Sequence, residues 1–265
     1  MSYSLKERIE EYENAYDIKI TKRLPIVIKA NIRNYKKISQ SLKKPFPEQF
    51  LEILANTMLY AASNIQDCIF CYCFDDEVSF VLRNDQQNDQ SSWYDNNLQK
   101  LCSTVSSLMS LGYYKYYIKY GKDFKLDYDV LFNTKVFALP YLGEVVNYLI
   151  SRQQTALNKA ISIASRYELS RKIGDKKAED LLHNKSLKER VDILEDYCNI
   201  FFYEDYPSSI YRGITSYKIP LLANSDISKN KWLLNYKLSD FTEDKEFLTN
   251  ILNNGRDVYR ASSLP

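Results

Sequence analysis

Histidine is nearly absent: the 265-residue chain holds one, His183. Two-histidine zinc sites are therefore excluded, and a serine–histidine or cysteine–histidine couple would have to use that one residue. Glycine and proline are scarce as well, at 6 and 7 residues, which speaks against repeat folds rich in tight turns. No segment approaches the roughly 20 apolar residues of a membrane span, so a soluble protein without a membrane partner is expected. Neither sign of charge dominates: 36 Lys and Arg against 34 Asp and Glu leave +2. That balance excludes a histone-like polycation but says nothing about local basic patches. The stretch Met1 to Asn14 is charged and helix-like, without the apolar segment of a secretory signal. The five cysteines are read as reduced thiols, and the location expected is cytoplasmic. Cys68, Cys71 and Cys73 have metal-ligand spacing, but a second cluster is missing. Within an apolar β-like run they are read as small hydrophobes.

What is present suffices for a sizeable core, with 45% hydrophobic and 26% charged residues. Leu24 to Ala30 is a short apolar run rich in β-branched residues, a buried strand. From Pro45 to Ile65, Phe46, Phe50, Leu51, Leu54, Met58, Leu59 and Ala62 recur at mostly three- and four-residue steps, a helical stripe. Two apolar runs, Cys68 to Phe74 and Val78 to Leu82, flank Asp75-Asp76-Glu77 and predict a hairpin with an acidic tip. The polar tract Arg83 to Ser92 is expected to be a loop. Leu98 to Leu111 predicts a second helix, Val136 to Leu139 a further strand, and Glu144 to about Tyr167 a long helix. The fold class expected is α+β: a ferredoxin-like βαββαβ antiparallel palm with helices on one face, over 1–140. Residues 141–265 form a helical and mixed part packed on it as one structural unit.

In that topology the first strand lies beside the third, so its end near Asn31 meets the hairpin turn. Two points distant in sequence converge at one sheet edge. Carboxylates converging there suit Mg²⁺, a hard cation that takes oxygen ligands and neutralises charge in phosphoryl transfer.

Several motifs then fall in order. They are Arg33-Asn34-Tyr35, Lys44-Pro45-Phe46, Asp76-Glu77-Val78-Ser79-Phe80-Val81-Leu82, Lys100-Leu101-Cys102-Ser103, Arg152-Gln153-Gln154, Arg212-Gly213, Lys231-Trp232 and Phe241-Thr242-Glu243-Asp244. In this series the chain resembles the tRNA(His) guanylyltransferases, which add nucleotides in the 3′–5′ direction. The resemblance implies a nucleotidyltransferase that uses ATP and GTP, prefers GTP, and acts on tRNA 5′ ends through two Mg²⁺ ions, in a homotetramer. Carried over by position, Asp76 and Glu77 are the catalytic carboxylates, and Asn31, Ile32, Asp75 and Asp76 the metal set. Asn34, Tyr35, Lys36, Lys44, Lys100 and Ser103 would bind nucleotide. Arg152, Gln153, Lys159 and Arg212 would contact tRNA.

The departures fall at the same places. The family's Asp-Gly after the first strand is Asn31-Ile32, its serine before Asp-Glu is Asp75, and its Phe-Asp-x-Arg is Phe132-Asn133-Thr134-Lys135. The Asp after Arg-Gln-x is Thr155, and the Asn four residues later is Lys159. Two explanations compete. Asp75 and Asp76 together supply what Asn31 lacks, or the metal site is degraded and a paralogue binds tRNA or nucleotide without transfer. Plainer readings stand beside these: a solvated acidic hairpin tip, a solvated helix start at Lys43-Lys44, and a basic helix surface at Arg171-Lys172 and Lys176-Lys177. The tyrosine-rich run from Tyr113 to Tyr120 is read as an amphipathic end with a core face rather than a base-stacking platform. His183 is read as a bystander.

Overall fold

The computed structural model describes residues 3–83, 92–121, 129–220 and 230–253, the side chains of 219, 220, 230 and 231 excepted. Chain order runs α1 (Leu5–Asn14), β1 (Ile26–Ile32), α2 (Tyr35–Ile38), α3 (Glu48–Asn64), β2 (Cys68–Phe74), β3 (Glu77–Leu82), α4 (Leu98–Tyr120) and β4 (Phe132–Ala138). There follow α5 (Leu142–Ile173), α6 (Asp175–Leu182), α7 (Leu187–Cys198), α8 (Phe202–Asp205), α9 (Ser208–Arg212), β5 (Ile214–Pro220), β6 (Asn230–Asn235) and α10 (Lys245–Asn253). The protein is a mixed α/β structure built on one sheet, in the order β4-β1-β3-β2-β5-β6. Every pairing in it is antiparallel.

Strand β2 is buried at all seven positions. Its unbroken apolar run, Cys-Ile-Phe-Cys-Tyr-Cys-Phe, is what a strand covered on both faces requires. On one face Ile26, Ile28, Ala30, Cys71, Cys73, Val78 and Phe80 form a core with Phe50, Leu54 and Met58 of α3 and Leu101, Val105 and Met109 of α4. On the other, Phe70, Tyr72, Phe74 and Val81 pack with Val145, Leu149 and Ala156 of α5 and Leu248 and Leu252 of α10. The helices that follow β1 and β3 thus share one face, while α5 and α10 cover the second.

The local readings hold with shifted bounds. Strand β1 starts and ends two residues later than its apolar run, because pairing to β3 and β4 extends through Asn31. The tyrosine run continues α4 by nine residues beyond Leu111. Tyr113 is buried, Tyr116, Tyr117 and Tyr120 pack against the core, and Tyr114 faces outward. Cys68, Cys71 and Cys73 are buried free thiols. Burial pushes the Cys71 and Cys73 thiols well above their ordinary range, as expected of small hydrophobes. Strands β5 and β6, which widen the sheet beyond β2, went unread in the sequence. Most of the tract read as a loop, 84–91, lies outside the described residues.

Helix α5 is 32 residues, about 48 Å at 1.5 Å per residue. It ends at Gly174, whose φ of +88° a side chain would resist. Its length carries side chains near its middle over the edge where β1 ends.

Candidate functional site

At that edge Asn31 lies opposite Glu77 of β3 on one side and Asn133 of β4 on the other. The Ile32 amide donates to the Asp76 carbonyl at 3.1 Å. The hairpin turn is therefore stitched to the tail of β1, the convergence that the topology requires. Only Asp75 and Asp76 form the turn, with Asp75 in the left-handed region at φ +50°. Glu77 is not at the tip: it is the first residue of β3 and 5% exposed. The sequence had grouped the three together. Strand pairing instead pulls Glu77 beneath α5, where Lys29 Nζ meets it at 2.5 Å and Arg152 Nη1 at 3.6 Å.

The turn is held from two sides. The Tyr35 hydroxyl donates to Asp75 Oδ1 at 2.6 Å. Lys159, projecting from the middle of α5, donates to Asp75 Oδ2 at 3.0 Å and to Asp76 Oδ1 at 3.4 Å. The Lys159 ammonium also sits 5.4 Å from the centroid of the Phe74 ring. Burial, then the charge and hydrogen bond of Asp75, hold the Tyr35 phenol well above its usual range, so it stays a donor. Burial opposes the charge on Lys159, but Asp75 and Asp76 outweigh it and leave the ammonium more basic than usual. Burial and the neighbouring Asp75 raise Asp76 to about 6, against the pull of Lys159. One ammonium only partly compensates two adjacent carboxylates.

Beside this cluster a cavity of about 200 Å³ opens to solvent. Tyr35, Phe46 and Phe74 give it apolar and aromatic walls, and Lys44, Asp75 and Lys159 polar ones. Lys44 is exposed there, its Nζ donating to the Ser39 carbonyl at 2.7 Å. Aromatic walls beside cations suit a ligand with a flat ring and anionic groups.

The donor set does not fit two magnesium ions. Asn31 brings an uncharged amide, both oxygens of Asp75 are engaged, and Asp76 shares Lys159. Among the described residues no group of three or more His, Cys, Asp or Glu side chains is arranged to hold a metal. A divalent ion on the same oxygens would lie about 4 Å from the ammonium. At an effective dielectric of 20 the repulsion would be about 8 kcal/mol. Of the metal set expected from sequence (Asn31, Ile32, Asp75, Asp76), the backbone brings Asn31 and Ile32 beside the turn, and Lys159 pairs with the Asp75 and Asp76 carboxylates.

Other expected site residues separate. Lys36 and the left-handed Asn34 sit on and before α2, close to Tyr35. Lys100 and Ser103 lie in the opening turns of α4, well away from the turn. The Ser110 hydroxyl bonds the Phe132 amide at the level of Ile32, and Lys100 is ten residues, about 15 Å, behind it. Gln153, expected from the resemblance to contact tRNA, is 5% exposed and makes three hydrogen bonds within the protein. Its amide nitrogen donates to the carbonyls of Arg212 and Ser239 at 3.3 and 3.1 Å, and its oxygen accepts the Phe241 amide at 2.7 Å. Arg212 in turn donates to the Leu238 carbonyl at 2.8 Å. The Arg-Gln and Arg-Gly motifs tie the C-terminal segment to α5. Arg152 turns inward to Glu77, and Lys159 to the turn carboxylates. Lys29 and Phe74 were missed. Lys29 stands two residues before Asn31, so strand alternation places both on the α5 face, a signal that was available.

Fold and site together define a mixed α/β protein whose antiparallel sheet presents acidic residues at one edge, next to an open aromatic-walled cavity. The family model for tRNA(His) guanylyltransferase matches residues 6–140, half of the chain. A relative, tRNA(His) guanylyltransferase 1 of Arabidopsis thaliana, is 26% identical over 148 residues, 54% of this chain and 25% of its own. This chain thus spans about a quarter of the length of that curated relative. A bacterial tRNA(His) guanylyltransferase-like protein solved with ATP superposes at a TM-score of 0.79 with 26% identity, covering 94% of this chain and 99% of its own. A bacterial structure of the same description with GTP gives 0.73 and 25%, over 94% and 99%. The chain belongs to the tRNA(His) guanylyltransferase family.

Proposed function

We propose that this protein binds a nucleoside triphosphate and the 5′ end of a tRNA at the acidic sheet edge, without two-metal nucleotidyl transfer. One observation carries the reading: the Lys159 ammonium bridging Asp75 and Asp76. Family membership supports the ligand classes, as do the ATP and GTP in the bacterial relatives. Strands β1 to β4 with α3 and α4 are read as a ferredoxin-like palm over 1–140. Residues 141–265 are read as one unit with it, a reading supported among the described residues by β5 and β6 continuing the same sheet. Lys44 and Lys159 would meet phosphate oxygens, and Tyr35, Phe46 and Phe74 would enclose the base. GTP is the nucleotide to test first, and a homotetramer is the assembly to test.

A second reading, the transferase expected from sequence, draws on the position of Lys159. Its side chain is 42% exposed, so its withdrawal would leave Asp75 and Asp76 beside Asn31. Transfer of label from α-labelled GTP to 5′-monophosphorylated tRNA with Mg²⁺ separates the two. The binding reading expects bound GTP, weakened by Lys44→Ala, and no label on tRNA. Incorporation that Asp76→Ala abolishes would establish the transferase instead.

A further inference from the structure

Three carboxylates and three cations close on one another at this edge. Asp75 and Asp76 face Lys159, and Glu77 faces Lys29 and Arg152. Counted over these six side chains, the charge is already zero before any ion binds. We infer that the Lys159 ammonium stands permanently where a divalent cation would stand, so that the site takes the phosphate groups of its nucleotide free of metal.

Geometry supports this assignment in three ways. The backbone of Lys159 is held by its place in α5, with Ala156 one turn before it and Ala160 next to it both buried. The Lys159 ammonium lies over the Phe74 ring, 5.4 Å from the centroid, where it meets the turn. An ammonium has three N–H donors. Two point to Asp75 and Asp76, and among the described residues the third has no protein acceptor. Lys159 also lines the cavity, together with Lys44. The third donor is therefore placed to meet a phosphate oxygen directly, the role a bridging metal would otherwise fill. A magnesium ion would need near-octahedral oxygen coordination. With Asp75 engaged at both oxygens and Asn31 neutral, the turn offers too few free charged oxygens to compete.

This inference rests on the nucleotide-binding reading, and the test separates the two. The full chain is titrated with GTP by calorimetry, once in EDTA and once in MgCl₂. Mn²⁺ binding is measured in parallel by the loss of its free electron paramagnetic resonance signal. The expected result is GTP binding in EDTA that magnesium does not tighten, with no Mn²⁺ captured by the wild type. Lys159→Asn should weaken GTP binding in EDTA at least tenfold and confer Mn²⁺ binding, while Lys159→Arg should retain metal-free binding. GTP binding that requires magnesium, or Mn²⁺ captured by the wild type, would overturn the inference and leave the nucleotide reading intact. No GTP binding under either condition would overturn both. If Lys159→Asn fails to fold by circular dichroism, the wild-type Mn²⁺ measurement decides alone.

Discussion

Asp76 holds its proton to about pH 6, against 3.8 for an ordinary aspartate, because it is largely buried beside Asp75. The folded state therefore binds a proton that the unfolded chain has already released. Stability from this group is fully present below pH 3.8 and is lost as the pH rises through 6. The shift corresponds to about 3 kcal/mol. With the side chain 14% exposed, solvent screening discounts little of it. Asp76→Asn mimics the protonated form at every pH. The variant should nearly match the wild type at pH 4 and be more stable by about 2–3 kcal/mol at pH 8, with the difference building up between pH 3.8 and about 6 and level above that. Urea denaturation of both proteins from pH 4 to 8 measures the difference directly, other titrating groups being common to the two. A difference that does not vary with pH, or an Asn variant that is less stable at pH 8, would refute the reasoning. The first result would mean that Lys159 compensates Asp76 fully, and the second that the charged pair is a net stabiliser.

Other expectations follow from single contacts. Tyr35→Phe removes the 2.6 Å donor to Asp75 Oδ1 and should cost about 1–2 kcal/mol in denaturant melts at pH 7. Gln153→Leu leaves two carbonyls and the Phe241 amide without their side-chain partner, and should lower stability by about 2–4 kcal/mol. A tRNA-contact role for Gln153 would instead leave the melt unchanged and weaken only RNA binding. Gly213→Ala should lower the melting temperature by several degrees. Its φ is +77° and a Cβ there would come within 2.6 Å of the Tyr72 ring, whose hydroxyl is fixed on the Arg212 carbonyl at 3.0 Å. Removing the ring in Tyr72→Ala relieves that clash, so the effect of Gly213→Ala should shrink in the double variant.

Much of the first half of the fold was legible because its signals are local. The stripe from Phe50 to Ala62 predicts α3, and the apolar runs around Asp75-Asp76 predict β2 and β3. The order of motifs likewise pointed to the family. Strands β5 and β6 were not legible, since β5 lies next to β2 only through a pairing across some 140 residues, such as Tyr72 with Thr215. The tyrosine run resolved into α4 once Tyr113 had α3 to pack against.

The residue types at the edge, and the loss of an acidic group at Asn31, were fixed by the sequence alone, because identity and short-range periodicity need no knowledge of neighbours. What becomes of the charges was decided only by tertiary structure. Lys159 reaches Asp75 from 84 positions away, carried there by a helix docked across the sheet. Glu77 is drawn under that helix by strand register. Coulomb energy depends on distance in space, and distance in space is what a chain reading cannot supply.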